Sequence, residues 1–169
     1  MLVRPAESGD VLSVARVHVR AWQIGYRHLL PDSYLAQLRP EERAGRYDFA
    51  TGDTQRPLTL VAESDGAIRG FATTAPARDG DLPGHGELCA LYVAPTTGTT
   101  ALVHIDRSRP ATTDRTGIPA CRAVAAAGND RAERFYYRTG GWTPDGTARQ
   151  DHIWSITVDE VRCRRPLLA

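Results

Sequence analysis

At 169 residues the chain is long enough to enclose one hydrophobic core and is read as a single domain over residues 1–169. Its hydrophobic fraction of 41% and charged fraction of 24% exclude the polar excess of a disordered chain. Lys and Arg number 21 against 20 Asp and Glu, and they are scattered; no basic footprint for nucleic acid or an acidic membrane exists, so small, near-neutral partners are favoured.

The opening MLVRPAESGD lacks the apolar core of a secretory signal, and no apolar run approaches the ~20 residues that span a bilayer, so cytoplasmic residence is expected. Leu2 to Pro5 reads as a short strand. Ser8-Gly9-Asp10 then offers side-chain caps for a helix whose Val11, Val14, Ala15, His18, Ala21 and Trp22 share one face. After a break at Leu29 to Ser33, a second helix is predicted over Tyr34 to Leu38, and Pro40 is placed to open a third.

Leu58 to Ala62 and Ile68 to Ala72 flank the turn signal Ser64-Asp65-Gly66, which predicts an antiparallel hairpin. A Gly-, Asp- and Pro-rich loop over Pro76 to Gly86 leads into Glu87-Leu-Cys-Ala-Leu-Tyr-Val93, a run apolar enough for a central strand covered on both faces. Between Pro95 and Ala127 no regular element is predicted, because Pro110, Gly117, Pro119 and many threonines interrupt any helix and Ala123 to Ala127 has weak strand propensity. Asn129 to Tyr137 reads as a capped helix ended by Gly140-Gly141. Ile153 to Val158 and Val161 to Cys163 are expected to be two closing strands.

Cys89, Cys121 and Cys163 are odd in number and widely spaced, which suits reduced thiols, and no metal-ligand spacing links them to the five histidines. Cys89, alternating within a buried strand, is read as inert packing. His18 and His28 have no partner pattern and are read as structural or solvated. Trp22 and Tyr26 either wall a pocket or pack in the core, with packing favoured for Trp22.

In order, these elements resemble the GNAT superfamily of acetyl-CoA-dependent N-acetyltransferases. The resemblance rests on the early helix pair, the hairpin, Glu87-Leu-Cys-Ala-Leu-Tyr-Val-Ala-Pro95, Gly128-Asn-Asp-Arg-Ala-Glu-Arg-Phe-Tyr136 before Gly141-Trp142, and the ending Val161-Arg-Cys-Arg-Arg-Pro166. It implies an α/β (α+β) fold with a mixed, mostly antiparallel twisted sheet, helices on both faces and a splayed parallel strand pair. It further implies acetyl-CoA as co-substrate, a primary amine of a small molecule or peptide as acceptor, and a homodimer as one possible assembly. Backbone groups of Leu91, Tyr92 and Val93 would line the cofactor, the Val93 amide donating to the thioester oxygen. Asn129 would cap its helix and contact the cofactor arm. Glu87 is the candidate base, acting through water, or else an exposed strand-end carboxylate; Tyr136 matches the family's acid position, with Tyr137 as the adjacent alternative.

One segment departs from the family pattern. A turn of the form Gln/Arg-x-x-Gly-x-Gly/Ala should follow the central strand and aim its amides at pyrophosphate, but Thr96 to Ala101 keeps only Gly98. Two explanations stand: a diverged, weakened loop, or a slip of reading frame. Under the second, codons spanning Thr97 to Val103 permit Arg-x-x-Gly-Ile-Gly in a neighbouring frame, and codons spanning Thr116 to Ala125 permit a stronger buried strand in the remaining one. Resequencing the gene separates the two. The alternative function is a catalytically impaired GNAT-like protein that acts as a binding or dimeric structural module.

Overall fold

The computed structural model describes residues 1–49, 57–95, 120–126, 128–139, 141–153 and 156–166. The expected cofactor loop over Thr96 to Ala101, with Gly98, lies outside them. The chain divides into two compact units, each drawn from two stretches of sequence: Met1–Thr74 with Ala90–Arg109, and Ala75–Cys89 with Pro110–Ala169.

In the first unit β1 (Leu2–Pro5) pairs antiparallel with β2 (Leu58–Ser64), and β2 with β3 (Ala67–Pro76), whose first eight residues belong here. Asp65 (φ 53°) and Gly66 (φ 69°) form the two-residue turn of this hairpin, both in the left-handed region whose twist matches paired strands. Helix α1 (Val11–Gly25) buries Val14, Ala15, Val17, His18, Val19 and Trp22, close to the predicted face. Asp10 does not cap it. Its carboxylate accepts from the Glu7 amide (2.9 Å) and from Arg4 (2.6 Å), which joins the start of α1 to β1. Helix α2 runs over Asp32–Gln37, two residues ahead of the predicted start, because Pro31 opens it; α3 (Pro40–Ala44) carries proline in its first turn as expected. Ala6, Val14, Val17, Val61 and Phe71 form the core, with Tyr47, Phe49, Ile68, Ala90 and Tyr92 against it.

β4 (Gly86–Val93) serves both units, its first four residues belonging to the second. There it runs parallel to β5 (Ala120–Ala126). β5 pairs antiparallel with β7 (Ile156–Pro166), and β7 with β6 (Thr143–Ile153). Two expectations are corrected. Residues 120–126 form a strand despite an alanine-rich sequence, because a seven-residue ladder to β7 supplies what propensity does not. The closing pair is not Ile153 to Val158 followed by Val161 to Cys163: Ile156–Pro166 is one strand, and its partner is the polar run Thr143–Ile153. Helix α4 (Asp130–Arg134) continues as a π-helical turn over Phe135–Thr139.

Candidate active site

The last residues of β4 are built in the first unit. Ala94 N–H donates to Arg69 O on β3 (2.7 Å), so the alternation of strand backbone turns the amide and carbonyl of Val93, and of Leu91, to the opposite edge. Tyr92 turns its backbone toward β3 and stacks its ring on His18 (centroids 4.5 Å apart), while its hydroxyl accepts from Trp22 Nε1 (3.0 Å). Trp22 is 0% exposed and stacks on buried Tyr26 at 4.4 Å, so both residues pack in the core.

His18 is not solvated. Arg43 Nε donates to its Nδ1 (3.2 Å), and since arginine only donates, Nδ1 is an acceptor and the ring is neutral with its proton on Nε2. The Tyr47 hydroxyl lies 2.6 Å from the same Nδ1 and therefore donates to it. Burial, and then the Arg43 charge, hold the imidazole well below its usual range. Spacing could not reveal this trio, because 29 residues separate His18 from Tyr47.

In the second unit the β4–β5 ladder consists of Gly86↔Cys121, Glu87↔Arg122 and Leu88↔Ala123 and ends there, although β5 continues to Ala126 and β4 to Val93. Glu87 is not an exposed strand-end carboxylate: its side chain is 0% exposed. Its Oε2 accepts from the Arg78 amide (3.4 Å) and Arg78 Nε (3.3 Å), and its Oε1 from Arg78 Nη2 (3.1 Å). Cys89, two residues on, is exposed rather than packed inside. Protein atoms nevertheless crowd its sulfur, and that desolvation, with the Glu87 charge nearby, pushes the thiol up to about 12, so it stays protonated.

Around Glu87 lies an ionic network that the sequence did not disclose. Arg162 Nε donates to Asp145 (2.6 Å), Nη1 to Asp79 (3.1 Å) and Asp81 (2.9 Å), and Nη2 to Asp81 (2.9 Å) and Thr147 (2.9 Å), so all five of its N–H groups are engaged. Arg149 Nε donates to Glu160 (2.9 Å) and Nη1 to Asp79 (3.3 Å). Burial pushes the Glu160 carboxyl up against the opposing pull of Arg149. Burial also works on Asp145, but donation from Thr147 and Arg162 outweighs it and holds that carboxyl below its usual value. The only sequence hint was the alternation of Arg162 and Arg164, which β7 turns to one face.

Asn129 Oδ1 accepts from Ala132 N (3.1 Å) and so caps α4. Tyr136 is 6% exposed in the π turn; it meets Trp142 edge to face at 5.8 Å, and its carbonyl accepts from Trp142 N (3.0 Å). Tyr137 is exposed. Among the described residues no group of three or more His, Cys, Asp and Glu is arranged to hold a metal, and no helix is long and apolar enough to cross a membrane.

No protein-family model matches the chain. It is similar to the uncharacterized N-acetyltransferase YuaI of Bacillus subtilis (strain 168), 29% identical over 91 residues, which are 54% of this chain; the alignment spans about half of that curated relative, 51%. Among solved structures it is similar to PaiA N-acetyltransferase of Thermoplasma acidophilum in complex with coenzyme A (TM-score 0.68, 19% identity, 98% of both chains). An acetyltransferase of the GNAT family from Streptococcus pneumoniae matches with TM-score 0.67 and 15% identity over 98% of this chain and 99% of that one. YncA of Salmonella typhimurium with its cofactor acetyl-CoA matches with TM-score 0.60 and 18% identity over 100% and 95%. The chain has the GNAT fold. In GNAT terms, β4 and β5 are the parallel pair of the sheet, and Glu87, Leu91 and Val93 lie on the first of them.

Proposed function

We propose that the chain, taken as one catalytic domain, transfers an acetyl group from acetyl-CoA to a primary amine of a small molecule or peptide by direct attack in a ternary complex. The observation that carries this reading is the early end of the β4–β5 ladder at Leu88↔Ala123, with the Val93 and Leu91 backbone turned away from β3. Those groups suit the amides and carbonyls of a pantetheine arm, which hydrogen-bonds as an added strand does. The GNAT fold shared with structures that hold coenzyme A or acetyl-CoA supports the same reading.

Acetyl-CoA supplies the acetyl group as a thioester. Val93 N–H is the donor for the negative charge that grows on the carbonyl oxygen, and it is already oriented, so it costs no rearrangement at the moment of reaction. The Tyr136 hydroxyl gives its proton to the departing thiolate; the π turn and the ring of Trp142 hold it in place. Glu87 takes the proton of the acceptor ammonium through water. Asn129, already the cap of α4, contacts the cofactor arm, and Leu91 and Gly98 complete the binding residues; Tyr92, expected with them, has its backbone turned toward β3 and drops out.

Calorimetry with acetyl-CoA, followed by thiol release on adding primary amines, tests the proposal. Binding with amine-dependent thiol release is expected. Binding without release favours the second reading, a GNAT-like binding module, which the single glycine of Thr96 to Ala101 supports. No binding overturns the acetyltransferase reading. Tyr136→Phe should lower kcat about 10²- to 10⁴-fold and spare acetyl-CoA binding; an unchanged rate removes Tyr136 from the mechanism.

A further inference from the structure

The loop between β3 and β4 is a folded object in its own right. Ala77 N–H donates to His85 O (2.7 Å) and closes its base, Leu82 N–H donates to Asp79 O (3.0 Å), and His85 N–H to Leu82 O (3.2 Å). Leu82 is 2% exposed and plugs it inward; Gly84, at φ 75°, makes the left-handed turn back to β4. Ion pairs attach it to β6 and β7. Asp79 and Asp81 reach Arg162 on β7, Asp79 also reaches Arg149 on β6, and Arg78 reaches Asp151 on β6 (3.4 Å).

What the loop covers is Glu87. Arg78 contributes both its amide and its guanidinium to that carboxylate, and the Arg78 side chain is 60% exposed while Glu87 is 0% exposed. A carboxylate in that state meets neither water nor an amine. Arg149 supplies the second half of the arrangement. Its Nη2 is buried without a hydrogen bond and stands 3.6 Å from Glu87 Oε1 and 3.7 Å from Asp151 Oδ2. If Arg78 withdraws, this donor is within a small rotation of the same oxygens, so Glu87 keeps a compensating charge with the loop up or down. That spares the largest cost of opening, an unpaired charge in a partly dry site.

We propose that residues 77–85 form an ionic lid over Glu87, with Arg78 as its seal and Arg162 as its latch, and that opening it admits water and the acceptor amine to that carboxylate. The consequence for catalysis rests on Glu87 being the base; the lid itself does not. Lids of this kind belong to the low-stability end of a fold, and pairs that include an exposed partner such as Asp81 are weakened by salt.

The test is carboxyl footprinting with a carbodiimide and glycine ethyl ester, read residue by residue by mass spectrometry, alongside amide hydrogen exchange. In the intact protein at low salt, Glu87 should resist labelling while exposed Asp65 reacts. Raising salt to about 1 M, where the screening length falls to about 3 Å, or substituting Asp81→Asn, should speed Glu87 labelling and exchange across 77–85 by about tenfold or more, with β6 and β7 still protected. Asp81 is exposed, so its substitution leaves the interior intact; Arg162→Lys, which keeps the charge but not the five-donor fork, should have an intermediate effect. Glu87 labelling that is fast from the outset, that responds to neither change, or that rises only with global loss of protection would overturn the lid. The kinetics of Glu87→Gln address the base separately: normal turnover in that variant, with the expected labelling pattern in the unsubstituted protein, removes the base assignment and leaves the lid standing.

Discussion

The two units bury different chemistry. Around Phe71 the first unit closes over rings and aliphatic side chains, with one neutral histidine hydrogen-bonded among them. The second buries Glu87, Glu160 and Arg162 beside Leu88, Trp142 and Cys163. The first interior gains from any close apolar contact and is indifferent to salt. The second is held only while each charge keeps its partner, because taking a charge out of water costs more than most single contacts return. The units therefore differ in what can move: an aromatic core yields by unfolding, whereas an ionic attachment has a route to yield locally.

Substitutions break that comparison at its two ends. Phe71→Ala should cost the most, about 3–5 kcal/mol by denaturant unfolding, with little change between low and high salt. Arg162→Leu should cost about 2–4 kcal/mol, because it leaves Asp79, Asp81 and Asp145 with only Arg149 and Arg164 to offset three negative charges; the loss should shrink in high salt as the excess repulsion is screened. Equal salt dependence in the two variants would erase the distinction between the units.

A pH series sharpens it with a smaller effect. His18 is held well below its ordinary value of 6.5, so below that pH the unfolded chain binds a proton that the folded chain does not. Stability should then fall as pH drops from 6.5, by about 1.4 kcal/mol for each unit at most, until the folded ring itself titrates. His18→Gln should flatten that slope. Glu160 has the opposite sign: raised above its ordinary 4.5 by burial, it binds the proton more readily when folded, and its contribution declines as pH rises through that window. A slope that persists in His18→Gln would show that other groups carry it.

Periodicity and turn chemistry placed β1, α1, the β2–β3 hairpin and β4 because each announces itself locally: one apolar face over Val14, His18 and Trp22, Asp65-Gly66 between two apolar runs, and a continuous apolar stretch from Leu88 to Val93. They failed on β5 and β6, where an alanine-rich run and a polar run are strands only because β7 pairs with both. Of the candidate site, the resemblance singled out Glu87, Asn129 and Tyr136, but no local pattern showed that Arg78, nine residues earlier, donates to Glu87, that Cys89 is exposed, or that Tyr47, 29 residues on, serves His18.

What the sequence by itself determined is the order and kind of the elements up to β4 and the GNAT resemblance they carry, since their apolar faces, turns and caps are set by interactions a few residues long. The tertiary structure alone decided how each charge is compensated. An arginine in β7 reads the same whether it faces water or gathers Asp79, Asp81 and Asp145, and only the folded chain, by removing water from around it, makes the difference matter.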